Sequence, residues 1–246
     1  MYPHSLKHNF FCVVLSITSV LFLTPQVGAK QKPPRGGWIA VVVDERLSAL
    51  RSTPDLSGKL IHRLGRGRLV AVRGVRKKSD GLVFFHVNVS SRTRGWIQRE
   101  AVVSPFRAGD DDRLLHLILS STDFDRIARA RIFLDHFPRS RLRPQVLLQF
   151  GDTVEELAGR LTREAARRID SMRLSAAAPE FSYYLNYSGL DRYNRQGVRF
   201  VFDSTAKQFH YDGAAYRELI RRYPGSPEAT VARRWLAATD IENYVK

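Results

Sequence analysis

The sequence predicts an α+β, multi-domain protein in which a small β-barrel is followed by a mostly α-helical domain. Three observations predict it. Between Trp38 and Phe106 the apolar residues come in short β-branched runs or in alternation with polar ones, the patterns of buried and half-buried strands. From Arg107 onward they recur at three, four and seven residues, the period of an amphipathic helix. The 246 residues, 43% hydrophobic and 26% charged, have the composition of a globular chain with room for one or two cores.

Residues 1–29 read as a signal peptide. Lys7 gives a positive start, Phe10 to Leu23 is mostly apolar, and Val27-Gly28-Ala29 has the small-x-small form that signal peptidase cuts. The run is shorter than the roughly 20 residues a permanent anchor needs. An uncut anchor is the alternative. The chain is therefore expected to be exported, to the periplasm or outside the cell. No second long apolar run follows, so no transmembrane segment is expected in the mature chain. Cys12 is the only cysteine and lies within the apolar run, not at its end as a lipoprotein cysteine would. A disulfide framework, a thiolate metal site and a cysteine nucleophile are thereby excluded from the mature protein.

Lys30 to Gly37 is a basic Pro/Gly linker. Trp38 to Val43 and Leu69 to Val72 are continuous apolar runs, as buried strands are. Asp80-Gly81 marks a hairpin turn. It leads into a strand with Val83, Phe85, Val87 and Val89 on one face and Phe84, His86 and Asn88 on the other. Trp96-Ile97 and Val102-Val103 follow a polar turn. Five or so short strands in some 70 residues suggest a small barrel.

In the second part, Asp110 to Asp112 precede an apolar periodic stretch and suit the positive end of a helix dipole. Ala130, Phe133, Leu134 and Phe137 continue the helical spacing until Pro138 stops it. Thr153 and Glu156 read as a capping box opening a long helix through Met172, before Ala176-Ala177-Ala178-Pro179. The alternation within 198–211 predicts a small hairpin. Asp212 and Ser226 cap two final helices, the latter with Pro227 at its first position. One internal echo stands out: Phe133 to Ser140 and Leu219 to Ser226 both end in aromatic-Pro-x-Ser, as two copies of one helix-turn-helix unit would.

Ala49-Leu50-Arg51-Ser52-Thr53-Pro54, then Leu60-Ile61, Leu64 with Gly67, Leu69 to Val72, and Gly95-Trp96-Ile97 with Val102 carry a resemblance. In order and spacing this stretch resembles bacterial SH3 (SH3b) domains, from an apolar-Arg-x-x-Pro turn to a closing Gly-Trp-Ile. The resemblance implies an SH3-like barrel over 38–106 in an exported protein, of a kind often attached to cell-wall enzymes, some binding peptidoglycan peptides. Residues 107–246 are similar to tetratricopeptide (TPR)-like periplasmic proteins, on Ala215-Tyr216, Leu219, Tyr223 to Ala229 and Ala232 to Leu236. That implies a helical domain that binds a protein partner.

Little in the chain suggests a reaction. His62, His86, His116, His136 and His210 show no i, i+2 or i, i+4 pair, so no local metal nucleus forms. There is no nucleophile elbow and no phosphate-cradling loop. The carboxylates Asp110 to Asp112, Glu155 and Glu156 sit at expected helix starts, where capping accounts for them. No catalytic residue, metal or cofactor is expected. Tyr183, Tyr184, Tyr187, Tyr193, Phe200, Phe202, Phe209 and Tyr211 read as core of the helical part.

Charge gives the sharpest functional signal. Lys and Arg number 40 against 24 Asp and Glu, a formal charge of +16. Residues 30–106 hold sixteen cations against five carboxylates, so the barrel carries most of the positive field. The expected ligand-binding residues are Arg51, Arg63, Arg66, Arg68, Arg73, Arg76, Lys77, Lys78, Arg92, Arg94 and Trp96, because guanidinium forks match carboxylates and phosphates. Beyond the cytoplasm the anion is peptidoglycan or another anionic envelope polymer, and nucleic acid is not expected. The function expected is a non-catalytic envelope adaptor. A wall hydrolase or its activator, and a purely structural helical scaffold, are the alternatives.

Overall fold

A computed structural model describes residues 36–171 and 178–239. The expected signal peptide, most of the linker and Met172 lie outside the described residues. The first half contributes β1 (Trp38–Val42), β2 (Ala49–Arg51), β3 (Leu60–Arg63), β4 (Leu69–Lys77), β5 (Val83–Asn88), β6 (Arg94–Gln98), a 3-10 turn at Arg99–Ala101, and β7 (Val102–Val103). The second half contributes α1 (Asp110–Leu119), α2 (Asp123–His136), α3 (Arg143–Ser171), α4 (Glu180–Leu185), a 3-10 turn at Ser188–Leu190 and α5 (Asp191–Asn194). It closes with β8 (Phe200–Asp203), β9 (Gln208–Tyr211), α6 (Ala214–Arg222) and α7 (Pro227–Thr239). The molecule is α+β, with the seven-stranded sheet built from the first half and the helices, the β8–β9 hairpin among them, from the second.

The first seven strands form one sheet ordered β3-β2-β6-β5-β4-β1-β7, antiparallel at every pair. Strand β4 is shared: Leu69 to Val72 pair with β1 (Val41↔Leu69 to Trp38↔Val72) on one side, and Ala71 to Lys77 pair with β5 (Ala71↔Asn88 to Lys77↔Val83) on the other. The register slips between Val72 and Gly74, and such a bulge bends and twists the strand. One face of the sheet closes a core of Ala40, Val42, Leu50, Leu64, Val70, Val72, Phe85, Val87, Val89, Ile97, Ala101 and Val102. Val41, Val43 and Val103 lie instead in a second core that continues into the helices. β1 is a continuous apolar run because each of its faces meets a different core. Between β4 and β5 the chain turns at Gly81, whose φ of +86° disfavours other residues.

Around α3 the helices are arranged in two similar pairs. The α2–α3 and α6–α7 connections carry the sequence echo, and they repeat its hydrogen bonds. Phe137 N donates to Phe133 O (2.8 Å) and Tyr223 N to Leu219 O (2.9 Å). The Ser140 and Ser226 amides then bond back to the Phe137 and Tyr223 carbonyls. Each serine hydroxyl accepts an amide at the entry to the next helix, Leu142 N just before α3 at 3.2 Å and Ala229 N in the first turn of α7 at 3.1 Å. The β8–β9 hairpin lies along α3, with Phe209 N donating to Thr162 Oγ1 and Tyr211 N to Glu155. Its aromatics pack with Tyr184 and Tyr193 in the helical core.

One reading of the sequence is corrected. The Thr153/Glu156 capping box does not open a helix, because α3 begins at Arg143 and runs through it. The Thr153 hydroxyl donates to the Gln149 carbonyl one turn back (2.7 Å). Gly151 is no breaker either: a Cβ there would lie 2.6 Å from the Tyr216 ring, so the glycine serves close helix–helix packing.

The two halves are joined by polar contacts as well as by the shared core. Arg129 of α2, only 6% exposed, donates from Nε to Val43 O (3.2 Å) and lies 3.8 Å from Asp44. Asp110 accepts from Ser104 N (2.8 Å), and Arg113 donates to Glu100 O and Val102 O. Arg66 pairs with Asp125 of α2 at 2.9 Å.

Candidate functional site on the basic sheet face

Paired residues of an antiparallel ladder point to the same side. The side of β4–β5–β6 away from Phe85, Val87 and Ile97 is therefore built in rows. One row is Arg76, Phe84, Gln98; the next is Gly74, His86, Trp96; a third carries Asn88 and Arg94. Arg51 of β2 is in register with Trp96. The His86 and Trp96 rings stand 5.0 Å apart at 42°, and both are half-buried. A Cβ at Gly74 would meet only His86 Cβ, at 3.7 Å, so no side chain walls this ring pair off on the β4 side. From the Phe84 row to the Asn88 row is about 13 Å at some 3.3 Å per residue. Phe84 in the first row is itself fully buried, so the open surface is a strip with the two half-buried rings at its middle and the exposed Arg76 and Arg94 toward either end.

The eleven expected residues do not form one cluster. Five cations are committed to the fold. Arg51 donates to Gly58 O (2.7 Å), Arg63 to Arg46 O (3.4 Å) and Arg68 to Val89 O (3.2 Å). Arg66 is tied to Asp125 and Lys78 to Asp55 (3.0 Å). The Ser57 amide and hydroxyl, and then Lys78, hold the Asp55 carboxyl well below the usual carboxylate range. Arg73, Arg76, Lys77, Arg92 and Arg94 are exposed, and their side chains have no ion-pair partner among the described residues. Arg76 and Arg94 belong to the strip. Lys77 shares the other face with Val83, Arg73 sits at the bulge against Gly36, and Arg92 occupies the β5–β6 turn.

His86 and Gly74 were not among the expected site residues. The alternation of β5 put His86 on the face opposite Phe85, but only the register sets it beside Trp96. Elsewhere the titratable groups serve packing. Glu155 receives Tyr211 N (2.8 Å) and faces His210 (3.2 Å). Tyr216 donates to Asp152 (2.7 Å), whose carboxyl is raised by burial. Among the described residues no three His, Cys, Asp or Glu side chains converge as a metal ion would require. No helix among them is long and apolar enough to cross a membrane. The chain matches no family model, and neither a curated protein nor a solved structure is found to be similar to it.

Proposed function

We propose that the protein is an exported, non-catalytic adaptor of the cell envelope, whose basic sheet face docks on peptidoglycan and whose helical half holds a protein partner. The observation that carries the reading is the strip itself. The His86–Trp96 pair offers two tilted, half-buried ring faces, and Arg76 and Arg94 flank it without carboxylate partners among the described residues. A glycan carries flat, C–H-rich sugar faces and carboxylates at intervals, so its chemistry complements rings with cations on either side. Two features support reading residues 38–106 as an SH3-like barrel. β4 carries a bulge between Val72 and Gly74, and it pairs with β1 over Leu69 to Val72 and with β5 from Ala71 to Lys77. The Gly95 backbone lies close under β2, where a Cβ would be 2.7 Å from Arg51 O. The repeated aromatic-Pro-x-Ser turns support a TPR-like reading of the helical half.

Co-sedimentation with purified peptidoglycan tests the docking surface. The protein pellets with the polymer at low salt and is released at 1 M salt, where screening acts within about 3 Å. The double variant R76Q/R94Q binds about tenfold more weakly, two rim charge contacts being lost. Absence of wild-type binding at low salt, or equal binding by the variant, would refute the reading.

A further inference from the structure

A second site lies on the other side of the sheet end, where the two halves meet. An open cleft of about 490 Å³ is lined by Val75, Val83 and Phe85 of the hairpin, by Arg99 of the 3-10 turn, and by Arg107, Asp110 and Arg113. Its floor is apolar and its rim holds three guanidiniums. Two carboxylates answer them: Arg99 pairs with Glu100 (2.9 Å), and Arg107 and Arg113 share the buried Asp110. One positive charge is left over. Arg107 lies 5.6 Å over the Phe85 ring, so guanidinium and apolar floor are contiguous. Arg113 is held below its ordinary value, first by burial and also by the like charges of Arg107 and Arg99.

We propose that this cleft binds a small carboxylate carrying an apolar body, its acid group against Arg99 and Arg107 and its apolar part on Val75, Val83 and Phe85. The volume falls within the range of small-molecule sites. Val75, 60% exposed on a strand, gains cover only when such a body lies on it. An anion there relieves the mutual repulsion of the guanidiniums. Two sources share this chemistry, an aliphatic acid and the free C-terminus of an apolar peptide. The proposal does not rest on the polymer-docking reading, since no strip residue lines the cleft.

The test is methyl NMR of the valine-labelled protein titrated with octanoate and, separately, with N-acetyl-Val-Leu bearing a free carboxylate. Saturable shifts of the Val75 and Val83 methyls are expected at about millimolar ligand, the range for some ten heavy atoms. The tighter ligand identifies the source. R99Q weakens binding about tenfold, the loss of one charge-assisted contact. V75D sets a carboxylate on the floor and abolishes binding. Unchanged Val146 and Val154 methyl signals, from the distant helical core, establish that each variant is folded. Any of three results overturns the proposal: neither ligand shifts these methyls, octanamide shifts them as strongly as octanoate, or R99Q and V75D bind as the wild type does.

Discussion

Asp44 shows how one side chain fastens the two halves. Its Oδ1 accepts the Arg46 amide and Nε, each at 3.0 Å, and its Oδ2 faces Arg46 (2.7 Å) and the buried Arg129. The Arg46 hydrogen bond, chiefly, holds the carboxyl below its ordinary 3.8, with Arg129 adding to it and burial opposing. The sign follows. A carboxyl depressed in the folded state adds stability above its unfolded value, and that contribution fades as pH falls through the folded value. D44N therefore costs about 2 kcal/mol near neutrality, because it leaves Arg129 buried without its countercharge. Urea unfolding at pH 7 and at pH 3 reads this directly: the gap between wild type and D44N narrows at the lower pH. An equal gap at both would place the cost in packing and not in charge. The same residue-level accounting separates spent cations from spare ones. Arg66 and Arg76 look alike in the sequence, yet one is locked to α2 and the other is exposed.

At the scale of elements, the repeated turn makes a paired prediction. S226A removes the side-chain acceptor of Ala229 N, leaving it the Ser226 carbonyl (3.1 Å), and costs about 1 kcal/mol, as the loss of an N-terminal cap does. S140A costs at least as much, since Ser140 also donates to Asp111 (2.7 Å). Equilibrium denaturation of both variants checks this, and a neutral S226A would deny that the turns act as caps. This echo was legible in the sequence because Pro and Ser act locally: one ends a helix, the other receives the first free amide of the next. The alternation over 200–211 and the run at 38–42 likewise declare their class, since hydropathy period records which sides of a short segment are buried. The start of α3 was not legible. Thr153 and Glu156 have a capping pattern, but their neighbours pack on Tyr216 and the β8–β9 hairpin, and tertiary contact overrides local preference there. The short helices α4 and α5 escaped notice because two or fewer turns show no clear period.

For the whole molecule, the shared core decides whether the halves are separable. Val41, Val43 and Val103 belong to the helical core, and burying three such side chains is worth about 5 kcal/mol, comparable with the total stability of a small domain. A fragment from residue 107 onward is expected to lose cooperative unfolding and to bind an apolar dye. A fragment that melts like the intact protein would show the interface to be dispensable, and would favour the reading in which the sheet is only a spacer.

The sequence by itself determined the α+β class, the placing of the sheet in the first half and the helices in the second, and several turn positions. Each of these depends on the burial period and backbone preferences of a few neighbouring residues. It also determined that the first half is rich in cations. Which cations are spare, that His86 stands beside Trp96, and that Val75 and Arg99 border one cleft were decided only by tertiary structure. Neighbours across a sheet depend on register and on the bulge at Val72/Gly74, and contacts between the halves depend on how two cores share β1; neither is written into any short stretch of chain.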